Sequence, residues 1–372
     1  MAESPLKLPA LLQALLREVA EKKGSDIHLG PHFVPMIRVN GDLEPSVTGE
    51  VLTAAQTQEL GFLLMGESLR PRFEEKNEID LAFALSSGGR FRVNIYNQRG
   101  AVNLALRYIP AQLPTIQSLG LPFAVSKLAE CRRGLILISG TTGSGKSTTL
   151  AAIVDHINST RKAHILTIED PIEFVHTNKK SIVNQRELGL DTRSFADALR
   201  AAMREDPNVI LVGEMRDLET VSAAITAAQT GHLVLSTIHT TDTIQIISRI
   251  LDLYPPHQQA QVRLQLAETL QGAISQRLLP TVDGRSREAA LEILVTTPHV
   301  QKAIQDNNFG DLHNAVRNGG FYGMQTFNQA LVHLYNRGRV RLEDAVVASS
   351  NPEEFMLAIR GIEASAPHPH AD

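Results

Sequence analysis

Residues 134–154 read GLILISGTTGSGKSTTLAAIV. A short apolar run leads into a glycine-rich turn, and a helical pattern follows it. The turn fits G-x-x-x-x-G-K-[ST], with Gly140, Gly145, Lys146 and Ser147 at the defining positions. Glycines in such a turn let successive backbone N–H groups curl around phosphate oxygens, and the helix N-terminus adds positive potential. Lys146 is then placed to reach the β- and γ-phosphates of a nucleotide and Ser147 to hold Mg²⁺. The expected cradle runs through Gly140, Thr141, Thr142, Gly143, Ser144, Gly145, Lys146, Ser147 and Thr148. A glycine turn with a chance lysine is the plain alternative; strand, motif and helix in this order leave it little room.

Working outward, the short apolar segments HILTIED, NVILVGE and HLVLSTI alternate with helical stretches. That is the signature of a parallel sheet with crossover helices. Ligands of such sheets sit at the carboxyl ends of the strands. There the sequence offers Glu169, Asp170 and, past a proline turn, Glu173 on one strand, and Glu214 on another. One acid at a strand end is more often a turn or a helix cap. Four beside a phosphate loop can orient Mg²⁺ and polarise a water for in-line attack. The Asp usual in the second strand motif is absent, and Glu214 takes the strand end.

His232 and His239 bracket LVLSTI. Seven residues at roughly 3.3 Å each set the two rings about 23 Å apart, on opposite faces. No single metal ion can hold both, which leaves catalysis and core packing open.

The 372-residue chain carries 36 Lys and Arg against 40 Asp and Glu, so no basic block points to nucleic acid. Cys131 is its only cysteine, which excludes an internal disulfide or a cysteine zinc site and suits a reducing cytoplasm. No run reaches the ~18 to 20 apolar residues of a membrane span. Leu8, Leu11, Leu12, Leu15, Leu16 and Val19 form the stripe of an amphipathic helix expected to pack on its own domain. Strand-like segments follow, with a hairpin at Asn40-Gly41 and breaks at Gly88-Gly89 and Gly100. A helix is expected at TAAQTQELGFLLMG. Residues 1–109 thus form a small α/β domain with an antiparallel sheet, 110–125 a proline-rich linker, and 126–372 the nucleotide domain. Beyond Tyr254 helices are expected to dominate, PPHQQAQVRLQLAETLQGAISQRLL being one, and ASAPHPHAD to fray.

The ordered motifs GSDIHL, GRFRVN, NQRGAV, GTTGSGKST, ILTIEDPIEF, VILVGEMRDLET, TGHLVLSTIHT and GMQTFNQAL resemble the secretion ATPases, specifically the PilT-type ATPases that retract type IV pili. The resemblance covers nearly the whole chain. It implies a PAS-like N-terminal domain and a RecA-like P-loop ATPase domain with a helical tail. ATP and Mg²⁺ are implied cofactors, Ser147 and Glu214 the metal partners, and Glu173 the general base. His232 and His239 become a histidine box beside the nucleotide, each sensing or positioning phosphate at its own end of the strand. A homo-hexamer is implied in which Arg92 and Arg107 of one subunit stabilise transition-state charge in the next; Arg90 and Arg99 are weaker candidates. Surface salt bridges are the plain reading of those arginines. The implied partners are an inner-membrane pilus platform protein and a paralogous retraction or assembly ATPase. No nucleic acid is implied, and the place is the cytoplasmic face of the membrane, reached through the partner alone.

A pilus-assembly or type II secretion (extension) ATPase is one alternative. Such proteins have a larger N-terminal region and often a four-cysteine zinc element, whereas this chain starts almost at the core domain. A nucleic-acid motor would need a basic channel and stacking aromatics, against 5% aromatic residues here. A non-catalytic scaffold is disfavoured by intact Lys146, Glu173 and Glu214. One stretch departs from the family: where an Arg-rich motif resembling AIRNLIRE is expected, residues 296–312 read TTPHVQKAIQDNNFGDL. Lys302 is its only full cation, with Asp306 and Asp311 beside it, which looks closer to the accessory PilU branch.

Overall fold

The computed structural model describes residues 9–22, 24–39, 41–84, 90–109 and 113–361. Leu8, Asn40, the Gly88-Gly89 break, the first linker residues and the closing ASAPHPHAD lie outside the described residues. The chain divides into two compact units, Met1–Leu113 and Pro114–Asp372.

In the first unit, helix α1 (Ala10–Glu21) buries Leu12, Leu15, Leu16 and Val19, the stripe expected from its spacing. Strands β1 (Asp26–Leu29), β2 (Met36–Val39) and β3 (Asp42–Pro45) precede helix α2 (Ala54–Lys76), and β4 (Glu78–Ala84), β5 (Arg90–Gln98) and β6 (Ala101–Ile109) follow it. They pair antiparallel in the order β3-β2-β1-β6-β5-β4. Phe91, Val93 and Ile95 alternate into the core, which turns Arg92 and Asn94 to the other face. Helix α2 starts on a Thr53/Gln56 capping box and breaks at Gly66, with φ 61° and ψ −177°. The expected helix ended there. A second helical piece, anchored by buried Phe73, continues to Lys76; its sequence is too polar to announce it.

The second unit opens with α3 (Phe123–Ala129), whose buried Ala124 and Val125 already lie inside the stretch read as linker. Then come β7 (Gly134–Ser139), α4 (Lys146–Thr160), β8 (His164–Glu169), β9 (Ile182–Glu187), α5 (Phe195–Ala202), β10 (Val209–Val212), α6 (Leu218–Gln229) and β11 (Leu233–Ile238). Helices α7 (Thr243–Asp252) and α8 (Pro256–Thr269) lead to β12 (Leu270–Pro280) and β13 (Arg287–Val295). Five helices finish the unit: α9 (Pro298–Gln305), α10 (Phe309–Asn318), α11 (Phe327–Asn336), α12 (Leu342–Ala348) and α13 (Pro352–Ile359).

The sheet order is β13-β12-β7-β11-β10-β8-β9, all neighbours parallel except the β12–β13 pair at the edge. Every residue of β7, β10 and β11 is buried, which explains their unbroken apolar runs. Residues 255–279 are not one helix. The helix stops at Thr269, and the rest is β12, bonded to β7 on one side and β13 on the other. Its residues have ordinary helix propensity; burial between two strands overrides it.

Candidate active site

The phosphate-loop motif leaves β7 and enters α4 at Lys146. Gly140 and Gly145 adopt φ of 145° and 87°. A Cβ on Gly140 would come 2.5 Å from the Gln276 carbonyl oxygen, and one on Gly145 2.8 Å from Gln276 Nε2. Strand β12 is therefore the wall against which the loop closes, and only glycine fits the gap. Gln276 also accepts a 2.7 Å bond from Thr149 Oγ1 in α4, and Ser139 and Ser275 are hydrogen-bonded across β7 and β12.

A cavity of about 280 Å³ opens at the carboxyl ends of β8, β10 and β11. Thr142, Gly143, Lys146 and Ser147 line one side; Asp170, Glu173, Glu214 and His239 line the other. Gly140, Thr141, Ser144, Gly145 and Thr148 shape the loop and first helical turn and are not in the cavity wall. Lys146 Nζ donates to the carbonyls of Gly140 and Thr141 at 2.8 and 3.0 Å. Burial pulls its pKa down, and Glu214 and Glu173 act in the opposite sense.

The acids divide by environment. Glu169 accepts from Thr167 Oγ1 at 2.6 Å and Gln185 Nε2 at 3.0 Å, tying β8 to β9. Burial raises its pKa in spite of these bonds. Glu214 meets Arg216 Nη2 at 2.7 Å and His239 Nε2 at 3.0 Å. Burial alone would raise its pKa; these two partners outweigh it, and the carboxyl lies below the usual range. Glu173 is exposed to the cavity beyond a turn held by the Ile172 N–H, which donates to Glu187 Oε2. Thr237 ties the ends of β10 and β11 together by donating to the Gly213 carbonyl at 2.7 Å.

His239 joins this site and His232 does not. A seven-residue step along β11 puts His232 at the amino end of the sheet, where Nδ1 lies 3.0 Å from the Ala227 carbonyl. The expectation that both histidines sit beside the nucleotide is corrected accordingly. Arg92 and Arg107 belong to the first unit and are not in the cavity lining. They stand opposite each other on β5 and β6. Arg107 Nε is 2.9 Å from Asp26 Oδ1, and Arg92 Nη2 is 3.9 Å from Asp80 Oδ1. Arg99 occupies the β5–β6 turn with φ 52°, off the sheet face.

Sequence reasoning assigned no role to Arg216, although it stands two residues beyond Glu214. It could not reach Gln276, because that residue lay in a stretch read as helix.

Ser147 Oγ and the ionised Glu214 are hard oxygen donors on one cavity. Among the described residues no cluster of three or more His, Cys, Asp or Glu could hold a metal alone. That donor set fits Mg²⁺, which is held by one or two protein oxygens and completes its shell with substrate phosphates and water.

A phosphate loop on a parallel sheet, with carboxylates at the neighbouring strand ends, defines a RecA-like ATPase. The family described as type II/IV secretion system protein matches residues 2–358, and the chain belongs to that family, in the branch of the PilT-type ATPases. The type IV pilus retraction ATPase PilT of Pseudomonas aeruginosa is 44% identical over 92% of this chain and 98% of its own length. The type IV pilus ATPase PilU of the same organism is 40% identical over 96% and 93%. A crystal structure of the pilus retraction motor PilT with bound ADP superposes with a TM-score of 0.86, at 47% identity over 94% of this chain and 99% of that one.

Proposed function

We propose that the chain is a hexameric motor that hydrolyses Mg·ATP to withdraw type IV pili and so drive twitching. It would work at the cytoplasmic face of the inner membrane, against a pilus platform protein. No helix among the described residues is long and apolar enough to cross a membrane. One observation carries the reading. Lys146, Ser147 and Glu214 share one cavity in a chain that aligns with two pilus ATPases over more than nine-tenths of its length.

Water attacks the γ-phosphorus as the bond to the β–γ bridging oxygen breaks, and its proton passes to Glu173. Such a base contributes about 10² to 10⁴ in rate. Lys146 meets the charge on the β- and γ-phosphates. Ser147 and Glu214 would hold Mg²⁺, which would supply further charge neutralisation at the phosphates. His239 and Arg216 keep Glu214 ionised and aimed. The first, PAS-like domain of one subunit would face the ATPase domain of the next, bringing Arg92 and Arg107 to the developing charge. An arginine supplied in this way is worth about 10³ to 10⁵ in turnover.

Twitching and pilus length in a strain lacking the gene test this reading. The wild-type chain should restore retraction and Lys146→Ala should not; equal rescue by both would refute the motor role.

A second reading, an accessory PilU-like motor, is favoured by Lys302 of α9, which bonds Asp306 at the helix's carboxyl-terminal cap at 2.8 Å. The segment's single Lys or Arg is thus paired locally, where the resemblance implies arginines. On this reading the chain hydrolyses ATP but only partly rescues a strain lacking its principal retraction ATPase. Restoring the Arg-containing motif at residues 299–306 raises rescue without changing turnover.

A further inference from the structure

A second cleft, of about 450 Å³, lies at the amino ends of the parallel strands, the end of the sheet opposite the phosphate loop. Arg132 comes just before β7, Arg161 and Lys162 before β8, Asn208 before β10 and His232 before β11. These four strands are adjacent in the sheet, so the side chains converge.

Compensation of helix dipoles is the plain reading. Helix α4 ends at Thr160 and α6 at Gln229; Arg161 follows the first, and the His232 ring meets a carbonyl in the last turn of the second. The magnitudes decide against it as a full account. A helix C-terminus carries about half a negative charge, so the two whose capping residues, Arg161 and Thr230, line the cleft amount to about one. Asp206 is the only acid lining the cleft and adds one more, against the three cations Arg132, Arg161 and Lys162. About one positive charge is left over.

Among the described residues none of the three cations pairs with a carboxylate. Arg161 Nη1 donates to the Cys131 carbonyl at 2.8 Å, which fixes the guanidinium. Burial pulls its pKa down, and the like charge of Arg132 acts in the same sense.

We propose that this cleft binds a phosphoryl group, carried by a free phosphorylated molecule or by a lipid headgroup. Two guanidinium forks and an ammonium suit the several acceptors of a tetrahedral phosphate better than one carboxylate. The lining holds no aromatic ring besides His232, so nothing in it would stack on a nucleobase. The cleft volume exceeds what a lone ion needs and leaves room for what the phosphate is attached to.

The test uses the full chain with ADP and Mg²⁺ in excess, so that the phosphate loop is occupied. Inorganic pyrophosphate is titrated while the His232 ring signals are followed by NMR. In parallel, the protein is floated with phosphatidylcholine vesicles with and without phosphatidylglycerol. Arg132 and Lys162 are exposed and make no hydrogen bond or ion pair among the described residues, so Arg132→Gln/Lys162→Gln probes binding without disturbing the fold. Pyrophosphate should shift the His232 signals, with affinity at least about tenfold weaker in the double variant. Pyrophosphate binding alone identifies a free ligand; flotation that needs phosphatidylglycerol, Arg132 and Lys162 identifies a headgroup. Binding of neither probe, or equal binding by wild type and double variant, overturns the proposal.

Discussion

His239 Nε2 lies 3.0 Å from Glu214 Oε1, joining the ends of the parallel strands β11 and β10 at the nucleotide cavity. Arg216 Nη2 lies 2.7 Å from the other carboxylate oxygen, so both oxygens of Glu214 have a partner. His239→Ala removes one charge-assisted bond and leaves the second. We expect turnover to fall about 10- to 100-fold, the range such bonds carry. Glu214→Gln should also shift the Mg²⁺ titration of the ATPase. An unchanged rate and titration in His239→Ala would make the contact incidental.

Lys146→Ala should abolish tight nucleotide binding, because it removes the cation that neutralises the β- and γ-phosphates in a water-poor site. Glu173→Gln keeps shape, loses the base, and should bind ATP normally while hydrolysing it ~10² to 10⁴ times more slowly. Fluorescent-nucleotide binding measured alongside phosphate release separates the two. Near-wild-type hydrolysis by either variant removes that residue from the mechanism.

Arg92→Ala and Arg107→Ala should leave nucleotide affinity nearly intact and cut turnover. Mixing either with Lys146→Ala tests action across subunits. Mixed assemblies regain activity if one interface can pair an intact arginine with an intact loop. Absence of recovery, with subunit exchange demonstrated, counts against sharing. Loss of stability in the single variants would instead favour the ion pairs with Asp80 and Asp26 as their role.

Glu18 is buried in α1, and burial alone would raise its pKa. Hydrogen bonds from Lys22, Ser46, Thr48 and the Val47 N–H outweigh that and bring it down from 4.5 to about 2. The folded chain therefore gains stability from the ionised carboxylate above the unfolded pKa. That gain is lost as pH falls from 4.5 towards 2. Glu18→Gln should be less stable than wild type at neutral pH and converge on it in acid, as followed by thermal unfolding at stepped pH. Parallel curves across the range would contradict this.

Local pattern was enough for much of this protein. The loop from Gly140 to Thr148, the four apolar strands around it and the acids at their ends could be read directly, because each is a short-range consequence of residue type and spacing. The amphipathic stripe of α1 was equally legible. What stayed hidden depends on neighbours far away in the chain. Residues 270–280 carry no strand alternation, since burial on both sides of a sheet leaves none, and only pairing with β7 and β13 makes them β12. Gln276, against which the loop glycines close, was lost with them. That the pKa of Glu169 is raised and that of Glu214 lowered is likewise a matter of packing. Thr167 and Gln185 cannot offset the burial of Glu169, whereas Arg216 and His239 offset that of Glu214. The two histidines of TGHLVLSTIHT are alike in sequence, yet a strand that runs one way through a parallel sheet delivers one to the nucleotide end and the other to the basic cleft.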